Sequence, residues 1–455
     1  MGTGLHRRLL DSANIGLDMM REGNLGGWSW VIAGALLVAP GCGDDGGVAS
    51  DEAGAGTEAA ASGTTQAPEE ETGADASTTT DAAGSSSSGD DVPDGPQPAG
   101  PDNAIDPALP GPYPVGVLTL ELEDPNRENG RPLITEIWYP ATDDAIGMDT
   151  VTYTVEDIFR PDAVEILGND LNSQIATTAV RDAPMRADAG PFPVIFFSHG
   201  SGGIRMQSTY YTVDLASHGY VVVSTDHIGN TLSDIIVDGD LTTEALLISL
   251  GDRPADLTHV REELELLDPA DPLAEIMDFD RVGVTGHSFG ALTSLRWMAL
   301  GADVDAVVAQ TPPGMDITWV GLSTPLADYE TPIQLQVGGV DGTTPPEQAD
   351  TIWEAASTPR ARMTITNAGH FTYSDMCTLD PNDIEAVAAL GVADALNDGC
   401  TEDNTDIEVA GATIRHYAIG FFNVYLRDSA PTLDLLTQDA GEALAGDLVV
   451  WESDL

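Results

Sequence analysis

Val282-Gly-Val-Thr-Gly-His-Ser288-Phe-Gly-Ala291 is an apolar run that breaks into Gly-His-Ser-Phe-Gly and resumes with helical spacing. Gly286, Ser288 and Gly290 fit a G-x-S-x-G turn, in which a strand passes sharply into a helix with serine at its tip. Arg281 to Thr285 reads as a buried strand and Ala291 to Leu300 as a helix, so both flanks agree with such an elbow. Glycines let the chain turn that tightly, where a side chain would collide with neighbouring backbone. The geometry lifts the Ser288 hydroxyl out of the sheet and makes it a candidate nucleophile.

Working outward, strands and helices alternate. Val115–Leu122, Leu133–Tyr139, Phe192–Ser198, Tyr220–Asp226, Val304–Ala309, Ile333–Gly338 and Arg362–Thr366 read as strands. Gln207–His218, Pro254–Leu267, Pro346–Ala356 and Ala412–Leu426 read as helices. Phe192–Ser198 is a continuous apolar run of the kind parallel sheets carry. The alternation predicts an α/β fold with a mainly parallel central sheet covered by helices on both faces. Ala141–Gly190 is a polar, weakly periodic insertion, and no internal repeat interrupts the pattern.

Serine is inert until a base takes its proton. Of the eight histidines, His370 in Asn-Ala-Gly-His-Phe follows the last predicted strand. His6 precedes the apolar N-terminal segment, His218 and His259 fall on helices, and His416 lies in the last one. The base needs an acid to fix its tautomer. Asp341 follows Leu335-Gln-Val-Gly-Gly-Val340 at the end of the penultimate predicted strand, and the order Ser288, Asp341, His370 is compatible with a triad. Asp316 is the alternative acid, and a merely structural role for Asp341 stays open.

The domain resembles an α/β-hydrolase, and within that superfamily the group of platelet-activating-factor acetylhydrolases, bacterial polyester hydrolases and dienelactone-hydrolase-like proteins. The resemblance rests on Ile137-Trp-Tyr-Pro-Ala141, Pro193-Val-Ile-Phe-Phe-Ser-His-Gly200, Asp226-His-Ile-Gly-Asn-Thr231, Arg253-Pro-Ala-Asp256, Gly286-His-Ser-Phe-Gly290 and Gly369-His-Phe371. It implies the α/β-hydrolase fold, a serine esterase and His370 as the base. It also implies an oxyanion hole made by the backbone N–H groups of Ser201 and Phe289. His199, His227 and His287 sit in its motifs outside the base position. Nothing in the sequence resembles a zinc cluster, a phosphate-cradling loop or a dinucleotide fingerprint, so no cofactor and no metal are expected. The animal acetylhydrolases place the acid one strand earlier, where this chain has Ala309-Gln-Thr-Pro-Pro313. The placement at Asp341 is thus more similar to the bacterial polyester hydrolases. True dienelactone hydrolases carry cysteine where Ser288 stands, so the expected reaction is cleavage of a carboxylic ester through an acyl-enzyme.

The first hundred residues read differently. Arg7, Arg8 and Arg21 precede the short apolar stretch Trp28–Ala39, which ends in Ala-Pro-Gly-Cys42. This has the layout of an export signal over residues 1–42. Its end resembles a lipoprotein cleavage box with Cys42 as the lipidated residue, and simple secretion is the rival. Residues 43–107 are Gly, Ser, Thr, Ala, Asp, Glu and Pro, too poor in large apolar side chains to offset ordering entropy, and read as a disordered acidic tether. Residues 108–455 form the catalytic domain. The expected location is a bacterial cell envelope, lipid-anchored, or outside the cell.

The formal charge is −58 over 455 residues, and every basic side chain other than histidine is arginine. Such a surface argues against nucleic acid and anionic membrane faces, leaving membrane attachment to the lipid alone. The expected partner is a small-molecule, lipid or polymeric ester, taken by a monomer. Three cysteines leave one unpaired in an oxidising compartment. With Cys42 lipidated, Cys377 and Cys400 form a natural disulfide pair; two buried thiols are the alternative. The acidic run Glu402–Asp406 reads as a solvated loop rather than a calcium site. Ala141–Gly190, Asn230–Arg253 and Gly314–Thr331, with Trp319 and Tyr329, are candidates for the cleft walls. A non-catalytic binding protein on the same scaffold is the rival function.

Overall fold

A computed structural model describes residues 97–455 apart from 128–129, 169, 240–241 and 389–396. The expected signal segment, Cys42 and most of the tether lie outside the described residues. The packed chain begins upstream of residue 108: Ala99 is buried, and the Ser429 hydroxyl donates to the Asn103 carbonyl at 2.8 Å.

Ten strands form one sheet. They are β1 (Val115–Asp124), β2 (Arg131–Pro140), β5 (Val180–Arg181), β6 (Phe192–Ser198), β7 (Val221–Thr225), β8 (Met277–His287), β9 (Ala306–Gln310), β10 (Ile333–Gly338), β11 (Arg360–Ile365) and β12 (Val449–Asp454), with β3 (Thr152–Tyr153) and β4 (Ile175–Ala176) paired separately. The order is β12-β11-β10-β9-β8-β6-β7-β2-β1-β5. Neighbours from β7 through β11 run parallel, while β2 and β12 pair antiparallel at the two flanks of that block. β12 is absent from the sequence reading because Trp-Glu-Ser-Asp carries only a fragment of apolar alternation. It is recruited by its register on β11, Met363 opposite Trp451, and by Tyr417 stacking on Trp451 with ring centroids 4.3 Å apart.

The main helices are α1 (Thr209–Ser217), α2 (Leu232–Asp238), α3 (Thr243–Glu265), α4 (Phe289–Ala299), α5 (Pro346–Ala355) and α6 (Ile407–Leu426). Alternation along each central strand feeds two cores. Val194, Phe196, Val221 and Val223 face α3, α4 and α5, whose Leu257, Val260, Leu295 and Ile352 complete that layer. Ile195, Phe197 and Val222 face α1 and α6, where Tyr211, Leu215, Ile419 and Phe422 close the other. A strand buried on both faces carries no polar alternation, so these segments read as unbroken apolar runs.

α3 begins eleven residues earlier than Pro254, where the sequence suggests a helix start. Proline cannot donate to the carbonyl four residues back, which normally ends or kinks a helix. Here that carbonyl, on Leu250, instead accepts from Arg296 Nε at 3.3 Å. A side chain on a different helix thus repairs the defect. The insertion 141–190 docks on α2 through an Arg160–Asp234 ion pair and through the Arg160 N–H donating to the Ser233 hydroxyl at 2.9 Å.

Candidate active site

Ligand sites in open α/β sheets gather at the carboxyl ends of the parallel strands. Three loops meet there: β8 to α4, β10 to α5, and β11 to the short turn His370–Tyr373. Ser288 ends β8 with φ 56° and ψ −120°, a left-handed backbone on a non-glycine residue. Such a conformation costs on the order of 1–3 kcal/mol and persists only where its surroundings enforce it. The two flanking glycines are required by contact. A Cβ on Gly290 would lie 1.8 Å from the Ser198 carbonyl oxygen, and one on Gly286 would lie 2.5 Å from the Gly290 carbonyl carbon. The elbow therefore presses directly against the end of β6.

His370 is buried, and its Nδ1–H donates to Asp341 Oδ2 at 2.8 Å. The carboxylate is fully occupied. The N–H groups of Thr343 and Thr344 donate to Oδ1 at 2.9 and 2.7 Å, and the Thr344 hydroxyl donates to Oδ2 at 2.9 Å. With Nδ1 carrying the proton, His370 keeps its lone pair on Nε2. The structure thus brings Asp341 and His370 together and leaves Asp316 aside, exposed on Met315–Thr318 and capping the Ile317 N–H at 3.0 Å.

The elbow and the base loop are joined through His287. Gln207 Nε2–H donates to His287 Nδ1 at 2.7 Å, and His287 Nε2–H donates to the His370 carbonyl at 3.0 Å. The two imidazole rings lie 4.6 Å apart. Burial, with the nearby His370 adding to it, pushes His287 well below the usual histidine range, so it stays neutral and keeps this donor order. Gln207 Oε1 accepts from the Gly200 N–H at 2.7 Å, which ties the His199-Gly-Ser-Gly loop to the same relay. A Cβ placed on Gly200 would be 3.5 Å from Ser288 Cβ, so that loop lies over the serine. Among the described residues, the N–H groups of Ser201 and Phe289 have no protein acceptor. Phe289 opens α4, whose N-terminus favours negative charge.

A carboxylate with no marker in the sequence binds the acid and base loops together. Asp398 accepts from the Gly342 N–H at 3.1 Å, the Thr343 hydroxyl at 2.6 Å and the His370 N–H at 3.0 Å. Its segment is fastened by the Cys377–Cys400 disulfide. Only the fold reveals Asp398 and Gln207, because the partners of Asp398, and His287 on Gln207, lie tens of residues away in sequence.

The other described histidines pack. His218 Nε2–H donates to the Leu109 carbonyl at 2.8 Å, and burial lowers its pKa to about 4. His416 Nε2–H donates to the Leu435 carbonyl at 2.9 Å and His259 Nε2–H to that of Glu123 at 3.1 Å. Trp319 and Tyr329 stack edge to face at 6.0 Å, and both pack against the core. A small apolar cluster of Leu250, Phe289 and Leu292 extends to the half-buried Leu246, Leu247, Ile317 and Val320. Residues Leu246, Leu247 and Leu250 of one expected wall and Ile317 and Val320 of the other therefore share a cluster with Phe289. Among the described residues no group of His, Cys, Asp and Glu is placed to hold a metal ion, and no helix is long and apolar enough to cross a membrane.

The sequence profile described as "Platelet-activating factor acetylhydrolase, isoform II" matches residues 106–237, the part that carries the His199-Gly-Ser-Gly loop but not Ser288. Platelet-activating factor acetylhydrolase of Cavia porcellus is 24% identical over 42% of this chain and 51% of its own length. Its counterpart from Canis lupus familiaris is 26% identical over 27% of this chain and 35% of its own. The chain thus spans about half or less of these curated relatives. A solved structure, a ferulic acid esterase from Streptomyces cinnamoneus, superposes with a TM-score of 0.57 at 22% identity, covering 75% of this chain and 97% of that one. The mixed sheet, the helices on both faces and the superposition give the chain the α/β-hydrolase fold, and its residues 106–237 are similar to the platelet-activating factor acetylhydrolases.

Proposed function

We propose that the protein hydrolyses carboxylic esters through an acyl-enzyme on Ser288. The observation that carries this reading is the strained backbone of Ser288, held at φ 56° between two glycines that admit no side chain. A strained serine at a sheet end, next to His287, which bonds the His370 carbonyl at 3.0 Å, supports a reactive turn. His370 Nε2 takes the hydroxyl proton as Ser288 Oγ attacks the acyl carbon, and Asp341 stabilises the imidazolium. The oxyanion is met by the N–H groups of Ser201 and Phe289, each worth ~10²–10³ in rate. Collapse releases the alcohol, which leaves with the proton from His370. Water, deprotonated by the same histidine, then releases the acid.

The apolar cluster around Phe289 supports an ester with an apolar group on that side; lipid, short-chain and polymeric esters all satisfy this. Steady-state assays with nitrophenyl esters graded by acyl length are the test. The reading predicts a burst of nitrophenol that approaches the enzyme concentration, at saturating ester, when deacylation is much slower than acylation. No turnover of any ester by folded protein would leave the scaffold a binding protein.

We also propose that the chain is exported and anchored by lipid on Cys42, on the strength of Trp28–Ala39 and the Ala-Pro-Gly-Cys42 ending. Metabolic labelling with a clickable fatty acid should mark the protein, and Cys42→Ala should abolish the mark. An unlabelled protein in the medium would mean secretion without an anchor.

A further inference from the structure

Arg253, on α3, is fully buried, yet no carboxylate lies within ion-pair distance of it among the described residues. Asp256 is one helical turn away, but its oxygens are taken by Arg127 at 2.6 Å, Arg131 at 2.7 and 2.8 Å, and His227 at 2.9 Å. A buried cation without a close counter-ion is expensive, and packing alone would be met better by a neutral side chain. The fork of this guanidinium has a specific use. Nη1 donates to the His199 carbonyl at 2.7 Å and Nη2 to the Gly200 carbonyl at 2.9 Å, while the plane lies 5.0 Å from the Phe289 ring centroid. Arg253 thereby touches the Phe289 ring and the carbonyl of the Gly200–Ser201 peptide, the two units that carry the proposed oxyanion N–H groups.

The Gly200 carbonyl collects two more donors, the His199 Nδ1–H at 2.7 Å and the Gly203 N–H at 3.1 Å. His199 Nε2 accepts from the His227 N–H at 3.1 Å, which fixes the proton on Nδ1. Burial and the adjacent guanidinium hold His199 well below the usual histidine range, so that tautomer is kept. The Gly200–Ser201 peptide is trans, so its N–H points opposite to its C=O. Fixing the carbonyl on Arg253 turns the Ser201 N–H away from the guanidinium, to the side where the protein offers it no acceptor. Hydrogen bonds that converge on a carbonyl also polarise the far N–H and strengthen it as a donor.

We infer that Arg253 is a positioning residue of the oxyanion hole, aiming and polarising the Ser201 N–H through the Gly200 carbonyl and adding fixed positive charge behind it. This rests on the reading of Ser288 as nucleophile.

The test uses Arg253→Lys and Arg253→Ala. Lysine keeps the charge but cannot grip both carbonyls with one planar fork. The inference predicts kcat for a short nitrophenyl ester about 10²–10³-fold lower with KM within about threefold. It also predicts partial recovery of kcat in Arg253→Ala on adding methylguanidinium. Affinity for a trifluoromethyl ketone, which forms a hemiketal oxyanion on serine, should fall in proportion to kcat/KM. Folded variants with unchanged kcat, or with weakened KM alone, would overturn it. If neither variant folds, the wild type is read directly. Slowly exchanging guanidinium protons in ¹⁵N-arginine-labelled protein should shift when the hemiketal forms, and silence in all of them overturns the inference. A wild type that forms no adduct at Ser288 would instead refute the serine reading.

Discussion

Two sets of Ser, His and Asp stand side by side at the end of the sheet. In one, the Ser198 hydroxyl donates to His227 Nε2 at 2.9 Å and His227 Nδ1–H donates to Asp256 at 2.9 Å. In the other, His370 is paired with Asp341 and Ser288 caps the neighbouring strand, with Ser198 in register opposite Gly286. By residue type the first set is the more complete triad, since each of its links is formed. Yet all three of its side chains are fully buried, Ser198 lies in regular strand backbone, and Asp256 is held by two arginines. Burial, then the Arg253 charge, lowers His227 to about 4 despite Asp256, so it is a weak base with no access to substrate. The second set places its serine on a strained elbow with partial exposure. On the proposed reading, strain and access, not composition, separate the reactive constellation from the structural one.

Substitutions that treat the two sets alike should therefore give unlike results. The largest difference is expected at the serines. Ser288→Ala should lower turnover by ~10⁶-fold with little change in melting temperature. Ser198→Ala should leave turnover within a few-fold and cost about 1–3 kcal/mol, since His227 Nε2 then lacks its donor. Ester assays beside thermal melts separate the two. At the acids, Asp341→Asn should lower kcat by ~10⁴-fold in a folded protein, because the imidazole loses the anion that sets its tautomer. Asp316→Asn should be mild by the same assay. Asp256→Asn should act on stability, by about 3–5 kcal/mol in denaturant titration, because Arg127 and Arg131 lose a buried partner.

How much of this is legible in the chain follows from reach. The elbow is written in consecutive residues, and the glycine contacts that enforce it are its own. Asp341 and His370 sit directly after predicted strands, so their loop positions can be read, although their pairing is a fact of the fold. Nothing local distinguishes Gln207 or Asp398, and Arg253 is marked only by the Arg253-Pro-Ala-Asp256 stretch of the resemblance, which does not say what it touches. Gln207 reads as a helix start, Asp398 as one acid among seventy-five acidic residues, and Arg253 as the residue before Pro254. Their meaning comes from partners brought close by the fold, mostly in the loops after β6, β10 and β11. The early start of α3 is hidden for the same reason, since the repair of Pro254 comes from Arg296 on α4.

Smaller effects sharpen the comparison around the base loop. Reduction, or Cys377→Ser and Cys400→Ser, should cost about 3 kcal/mol in the chain-entropy model and lower activity, because the bridge fastens the segment of Asp398. Equal turnover in the reduced, folded protein would detach that bridge from the site. An effect confined to the pH profile is at Asp375, whose carboxylate accepts from the Thr209 N–H and hydroxyl at 2.5 and 2.6 Å. Burial raises it to about 6, outweighing those bonds. The folded state then holds this proton more tightly than the unfolded chain, so the group favours folding below about pH 4. That contribution, about 3 kcal/mol, is lost as pH rises through about 6. Asp375→Asn should flatten that part of the stability profile, measured by melts from pH 4 to 7.

The central claim, that Ser288 rather than Ser198 is the reactive serine, has a direct measurement. Folded protein is treated with a fluorophosphonate, digested and mapped by mass spectrometry. The account predicts a single stoichiometric adduct on Ser288, formed in the Ser198→Ala variant as well and absent from Ser288→Ala. An adduct on any other serine, or none on folded wild-type protein, would contradict it.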